Sequence, residues 1–497
     1  MQPFFSQGMR YSGLGFALLA LCLLLVQYAQ ATTWVVDESG KGNFTSLDAI
    51  YSYKVKPGDI VYMRGTFTKV QTLQNINGTK DKPITITSYP GTRAIVDGTT
   101  ATPGDWQGLV RLNICHFIIL DNIIVRNSTQ SGISFYYNSD TVVQNCLVHD
   151  VQIRGIGGCG DNVVLRNNTV YNGCMQNYAG KYGSWAQVVS SNSCSGKPLK
   201  NWLIEYNKVY NSWGEGIDCI QVSGCIVRHN VVYDTYSVNI YVDNADGVVI
   251  DSNYIYSKNP FYYRTTTYTW PATGILVGAE TWMANPQPSF NVTIKNNLLV
   301  GTNGISNFYV GTRCAGLQNW VNNVRIYYNT IWNPNATGIG PFTWPQQRNV
   351  VSSGNEFRNN LIWTKRSGWT ISNNVWVGVN TIPTNCTDTS GTRTSLAVNS
   401  TLINFASGRL PTIGSPLTDF YLGASSPARG VGVALASVQT DYNGYARASK
   451  PSVGFVEYGT QANSAGANSD GDGSSASVAT GFFLAASRSV SALFLQA

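Results

Sequence analysis

The chain has 497 residues, of which 12% are charged and 43% hydrophobic, with a net charge of +7. That apolar share excludes wholesale disorder, and 49 glycines and 18 prolines are too few for collagen-like or low-complexity filler. The positive excess comes without a Lys/Arg-rich run, which speaks against nucleic acid and leaves an anionic polymer as the fitting partner.

Arg10 precedes an apolar run from Leu14 to Val26 that ends in the small residues Ala29-Gln30-Ala31. This predicts a cleaved signal peptide over residues 1–31, since the run is shorter than the roughly 20 residues a membrane span needs. Eight Asn-x-Ser/Thr sequons, at Asn43, Asn77, Asn127, Asn167, Asn291, Asn335, Asn385 and Asn399, agree with a secreted, extracellular glycoprotein. Of ten cysteines, nine remain after Cys22 leaves with the signal, so at least one is a free thiol or an intermolecular link. Cys174 with Cys194 is the expected loop-closing pair and Cys314 with Cys386 the next, although spacing does not fix connectivity. Cys219 and Cys225 are expected to be buried or bridged.

Thr45 to Ile50 opens a short amphipathic helix. From Ile118 onward one phrase recurs: two or three apolar or β-branched residues, a polar residue or two, then Asn. Its asparagines, Asn122, Asn145, Asn168, Asn207, Asn230, Asn253, Asn297 and Asn329, are spaced by 23, 23, 39, 23, 23, 44 and 32 residues. A second phrase keeps the same register at Gly132-Ile133, Gly155-Ile156, Gly216-Ile217, Asn239-Ile240, Gly274-Ile275, Gly304-Ile305 and Gly338-Ile339. Twenty-three residues are too few for a βαβ unit, which needs about 30. They suffice for a coil of three short strands whose like residues stack at about 4.8 Å. The repeat therefore predicts an all-β fold, a right-handed parallel β-helix of about 23 residues per coil with a short N-terminal capping helix, spanning residues 32–458 as one solenoid domain. Residues 459–477 read as a Gly/Ser/Ala-rich linker and 478–497 as a hydrophobic tail, an order that matches a GPI-anchor signal although Arg488 interrupts it. No transmembrane helix is expected in the mature chain, which reads as a monomer.

Trp34 to Leu47 (WVVDESGKGNFTSL) and Pro57 to Phe67 (PGDIVYMRGTF) resemble the opening of pectin-active and other carbohydrate-active β-helix proteins. Lys82-Pro83-Ile84-Thr85-Ile86, Tyr89-Pro90-Gly91 and Val96-Asp97-Gly98 look like early rungs of alginate-lyase and chondroitinase-B-like chains. Ser426 to Gly430, Asp441 to Gly444 with Arg447, and Gly454 to Tyr458 resemble the closing segment of many secreted β-helix proteins. The resemblance, to the pectin lyase-like superfamily, covers about residues 33–458. It implies a polysaccharide lyase, epimerase or binding protein, with Ca²⁺ common among the lyases. The paired-Asp motif of polygalacturonases and the Gly-Arg-Pro-Trp motif of pectin methylesterases are both absent.

The long spacings place insertions between Cys174 and Lys200 and between Lys258 and Asn291, two loops expected to flank the rungs at Asn207 and Asn230. Alternation turns Asp218, Tyr241 and Asp243 outward from the coil. Glu215 precedes one of these strands, and Arg154 the equivalent strand two rungs earlier. Tyr178, Lys181, Tyr182 and Trp185 would form one wall, with Phe261 to Arg264, Tyr268, Trp270 and Trp282 the other. The reading is an aromatic-walled groove with an acidic floor. Asp218, Asp243, Arg154 and Lys181 are its catalytic candidates, and Tyr241, Trp185, Tyr182, Trp270 and Trp282 its substrate-binding candidates. Glu215, Asp218 and Asp243 are oxygen ligands suited to Ca²⁺. Three chemistries remain open at this stage: β-elimination on an acidic polysaccharide, hydrolysis or epimerisation by paired carboxylates, and binding without turnover. The histidines His116, His149 and His229 show no metal-ligand spacing.

Overall fold

The computed structural model describes residues 31–183, 185–264, 271–280, 287–309, 321–333, 342–343, 356–364, 375–377, 396–398 and 405–459. The signal segment, the linker and tail beyond Gly459, Gly338-Ile339, Trp270, Trp282, Cys314 and Cys386 lie outside those residues. Every strand pairing between named strands is parallel, and the described strands form two long sheets of 22 and 13 strands. One sheet wraps two faces of the coil, because Ser131–Gln144 runs through the bend without a break. The other sheet supplies the third face.

The repeat arises from what each rung buries. Ile133, Ile156, Val189, Ile217, Ile240, Ile275 and Ile305 are partners in one register column and all are buried. On the second face Val143, Leu165, Ile204, Val227, Ile250, Ile294 and Ile326 form a like column. The rung at Gln187–Ser191 belongs to the first column although it lacks the Gly-Ile phrase, and the phrase alone missed it.

The asparagines form a bonded ladder. The backbone N–H and Nδ2 of Asn168 both donate to Asn207 Oδ1, and the same double bond repeats from Asn207 to Asn230, Asn253, Asn297, Asn329 and Asn360, all at 2.9–3.0 Å. Asn122 and Asn145 are not part of it. They stand one residue earlier, in a left-handed column with Asn167, Tyr206, His229, Ser252, Asn296, Tyr328 and Asn359, at φ of 53–60°. A positive φ is costly for Tyr and Ser, and the bonded Asn that follows each of them fixes the bend.

At the N-terminal end the expected helix is one 3-10 turn, Leu47–Ala49, with Leu47 fully buried and its N–H donating to Gln71 Oε1 at 3.0 Å. Only two residues fit between successive apolar anchors Phe44, Leu47 and Ile50, all buried in the core. At the other end residues 405–458 pack back onto Leu298, Val300, Trp332 and Leu361. Arg447 anchors this strap: it lies 3.7 Å over the Tyr328 ring, donates to Asn296 Oδ1 at 2.7 Å and pairs with Glu457 at 3.7 Å.

The expected Cys174–Cys194 bridge is corrected. Cys194 is joined to Cys159, whose Cα lies 5.7 Å away, because the return loop after Ser191 comes back beside the strand Ile156–Arg166. Cys219 is joined to Cys225. Cys174 is a buried thiol that accepts the Ala186 N–H at 3.1 Å, and Cys115 and Cys146 are buried thiols as well. Burial pushes these thiols up, Cys115 and Cys174 to about 11 and Cys146 to about 12. In peptide-mapped alkylation at pH 8 all three should stay unmodified in native protein and react fully after unfolding. Rapid native labelling of any of them would contradict this packing.

Candidate functional site

The residue after each inward Ile or Val points out of the first face. Read along the solenoid these residues are Arg111, Ser134, Gly157, Ser190, Asp218, Tyr241 and Leu276. Beside them runs the shorter column of Gln187 and Glu215, with Arg154 just before the start of its own strand. Arg154 reaches along this face, donating to Gln187 Oε1 at 3.3 Å, and its side chain lies over Gly157. A Cβ at Gly157 would stand 2.5 Å from Arg154 Cδ and 2.4 Å from the Ser190 carbonyl oxygen. Gly157→Ala should therefore displace the Arg154 guanidinium and weaken binding of anionic glycans about tenfold, the loss of one charged hydrogen bond, in titration calorimetry. Unchanged affinity would show that Arg154 is not seated there for a ligand.

Asp218 is fully buried, and neither of its oxygens meets a conventional donor. Its neighbour on the same strand is Glu215. Burial comes first in raising Asp218 well above the carboxylate range, followed by the charge and hydrogen bond of Glu215 and the charge of Asp243, while Arg154 opposes them. Glu215 is also raised, chiefly by burial, with Glu280 adding to the rise; the bond from Asp218, the Trp185 indole and Arg264 pull the other way. Trp185 Nε1 donates to Glu215 Oε1 at 3.1 Å, and the edge of Glu215 is partly exposed. Tyr241 is buried and donates to Glu280 Oε1 at 2.7 Å, above Gly278, whose missing Cβ makes room for the phenol oxygen.

The two insertions meet instead of standing apart as walls. Trp213, Tyr236 and Tyr262 form a small buried core with Trp185 packed against it, and Tyr178 touches Phe261 edge-on at 5.9 Å. Arg264 lies 4.5 Å from the Trp185 ring centre. These contacts roof the rung of Asp218, so Asp243 and Tyr241 are outward of the coil yet buried. Lys181 and Tyr182 stand exposed on the loop and are not gathered with the carboxyls.

The open space is elsewhere. A cleft of about 580 Å³ lies on the same face toward the N-terminal end, lined by Trp106, Arg111, Tyr136, Arg154 and the Cys159–Cys194 bridge, among others. Arg154 lies 5.6 Å from the Trp106 ring centre, is buried, and is pulled down by that burial to about 10, with Asp218 opposing. It is the one site candidate that belongs both to the cleft and to the carboxyl pair. Trp106, Arg111 and Glu280 were missed from sequence, whereas Arg264 was expected on the second wall. Carrying the Ile133-Ser134 register back one rung to Val110-Arg111 would have found the arginine.

A calcium site needs several carboxylate oxygens free to converge. Among the described residues no three His, Cys, Asp or Glu side chains are grouped as a metal ion requires. The raised carboxyls set a stability trend. The fold holds protons that the unfolded chain has lost above the ordinary carboxylate range, so the pair's contribution falls as pH rises past that range. Asp218→Asn should raise the Tm at pH 7–8, an effect of about 1–3 kcal/mol for relieving a badly solvated buried group, and the gain should vanish in acid. A lower Tm at pH 8 would contradict the protonated carboxyl.

No protein-family model and no curated protein matches the chain. Solved structures do. XylC in complex with xylose aligns at a TM-score of 0.50 and 10% identity, covering 86% of this chain and 98% of that one. Pectate lyase Pel9A aligns at 0.48 and 17%, covering 86% and 97%. An alginate lyase from Paenibacillus sp. str. FPU-7 aligns at 0.43 and 16%, covering 59% and 93%. The fold is a parallel β-helix. At such identities the likeness concerns the fold, and the chemistry of this β-helix has to be argued from its own side chains.

Proposed function

We propose that this β-helix is an extracellular enzyme that cleaves an acidic polysaccharide by β-elimination. The observation that carries the reading is the open cleft lined by Arg154, a buried arginine on the same face as the neighbouring carboxyls Glu215 and Asp218. A uronate carboxylate on Arg154 is neutralised by the guanidinium, which acidifies the proton on the adjacent ring carbon. Glu215, ionised and partly exposed, takes that proton. The C–H electrons form the C=C bond, the C–O bond to the next sugar breaks, and the proton passes from Glu215 to the leaving oxygen. A carboxylate raised above its usual range is a stronger base for the first step and a better-matched acid for the second. Hydrolysis by two carboxyls needs them about 5–9.5 Å apart to straddle the bond. Asp218 and Glu215 lie three residues apart on one strand, with Asp218 fully buried, so the reading does not place them on opposite sides of a glycosidic bond.

The test is incubation of the full mature chain with polygalacturonate, alginate, chondroitin and neutral glycans, with and without chelator. The expected result is ultraviolet absorbance from an unsaturated product on an acidic polymer, unaffected by chelator. Chelator-sensitive absorbance would restore calcium at Glu215, Asp218 and Asp243. Reducing ends without absorbance would favour hydrolysis, and silence from folded protein across the panel would favour a binding protein.

A further inference from the structure

Two arginines face the cleft, and their separation is set by the solenoid. Arg111 pairs in register with Ser134, and Ser134 with Gly157, over which the Arg154 side chain lies. The rungs that carry the two side chains are therefore two strands apart, about 10 Å at the ~4.8 Å spacing of neighbouring strands. That matches the length of a disaccharide in an extended chain, so carboxylates on alternate sugars meet the arginines together. We propose that the cleft is a specificity subsite for a glycan carrying a carboxylate on every second sugar or more often, one carboxylate on Arg111 and the next on Arg154. This rests on the reading of the site as one for acidic polysaccharide.

The other lining groups fit such a ligand. Trp106 offers an exposed ring, half of its surface open, beside Arg154, as a sugar face requires. Arg154 is buried with Nε lacking a partner, and Ser190 Oγ, next along the column, lacks one too. Of the two, Arg154 lines the cleft, and its Nε is a donor to which a carboxylate supplies the missing acceptor. Arg111 spends its Nε on the Gly108 carbonyl at 3.0 Å and feels Asp48. The acid in the lining, Asp105, accepts from Gln130 Nε2 at 3.4 Å.

The test uses the full mature chain carrying Glu215→Gln, so that no probe is turned over, with hexamers of galacturonate, mannuronate and guluronate and their methyl esters. At least one acid should bind about tenfold or more tightly than its ester, the worth of a charged hydrogen bond or more, and lose that advantage in high salt. Arg111→Gln should lower affinity for the acid about tenfold and leave the ester unchanged, while Arg111→Lys recovers part of the loss. Affinity should step up between the disaccharide and the trisaccharide, the shortest chain that bears carboxylates on alternate sugars. Equal binding of acids and esters, no effect of Arg111→Gln, no step at the trisaccharide, or no binding by any acid overturns the proposal. Wild-type turnover is scored separately: the binding pattern without turnover retains the subsite and removes the reaction, whereas turnover of esters and acids alike does the reverse.

Discussion

Glu215→Gln is expected to lower turnover on the responsive uronate polymer by about 10²–10⁴-fold, the usual worth of a positioned general base. The amide keeps the shape, can still meet the Trp185 indole with its oxygen, and cannot take a proton. KM should move little, because the cleft at Arg111 and Arg154 is untouched. The pH profile should carry its signature: the raised Glu215 places the acidic limb of kcat above the ordinary carboxylate range, and in Asp218→Asn that limb should shift further upward, because the hydrogen bond from Asp218 that lowers Glu215 is replaced by that of a weaker amide donor. A Glu215→Gln enzyme retaining a tenth or more of wild-type kcat would remove this residue from the reaction.

The second large effect concerns the ladder. Asn230 is fully buried, and its Oδ1 accepts both the backbone N–H and Nδ2 of Asn207, at 2.9 and 3.0 Å. Its own Nδ2 reaches Asn253 and the Ile204 carbonyl. Asn230→Ala strands the Asn207 N–H away from water and leaves a void in the stack, a cost of about 2–4 kcal/mol by the worth of a buried unsatisfied donor plus lost bonds. Asn230→Asp should be worse than its small change in shape suggests, because the carboxylate brings charge to a site that also needs a donor. Denaturant midpoints with unchanged m-values would measure both. A change under 1 kcal/mol in Asn230→Ala would mean the neighbours re-bond around the gap. Asn145→Ala, exposed and outside the ladder except for its bond to Asp121, serves as the comparison and should cost far less.

The solenoid was legible because its periodicity is enforced rung by rung. Ile217 above Ile240 and Asn207 above Asn230 each sit where the same bond or contact recurs, so the spacing of 23 survives in the residues themselves. The one-residue misplacement of Asn122 and Asn145 has a physical origin: Asn is also the residue that tolerates the left-handed bend, so two adjacent positions favour the same letter. Asp218, Glu215 and Arg154 were found from alternation and from their places ahead of strands. What alternation could not convey is that outward of the coil is still inside the protein, because the roof over Asp218 comes from insertions that follow no repeat. Trp106 and Arg111 escaped for a different reason: the cleft lies beyond the two loops, over rungs with no length anomaly to draw notice.

The asparagine ladder has a direction, and that direction governs how such a molecule changes in length. Each rung takes its acceptor from the rung that follows and offers an identical one to the rung before. Residues 208–230 therefore form a transferable module: copying or deleting that span, in phase, leaves every remaining bond with a partner of the same kind. Cut out of phase by even one residue, the same change would set a left-handed position where an acceptor is needed. Such a lineage would lengthen or shorten its platform in whole turns, while a loop such as 172–186 can vary residue by residue. The face that carries Arg111, Arg154 and Asp218 then behaves like a ruler with fixed graduations, and the distance between two charged groups on it can change only by a whole number of strands.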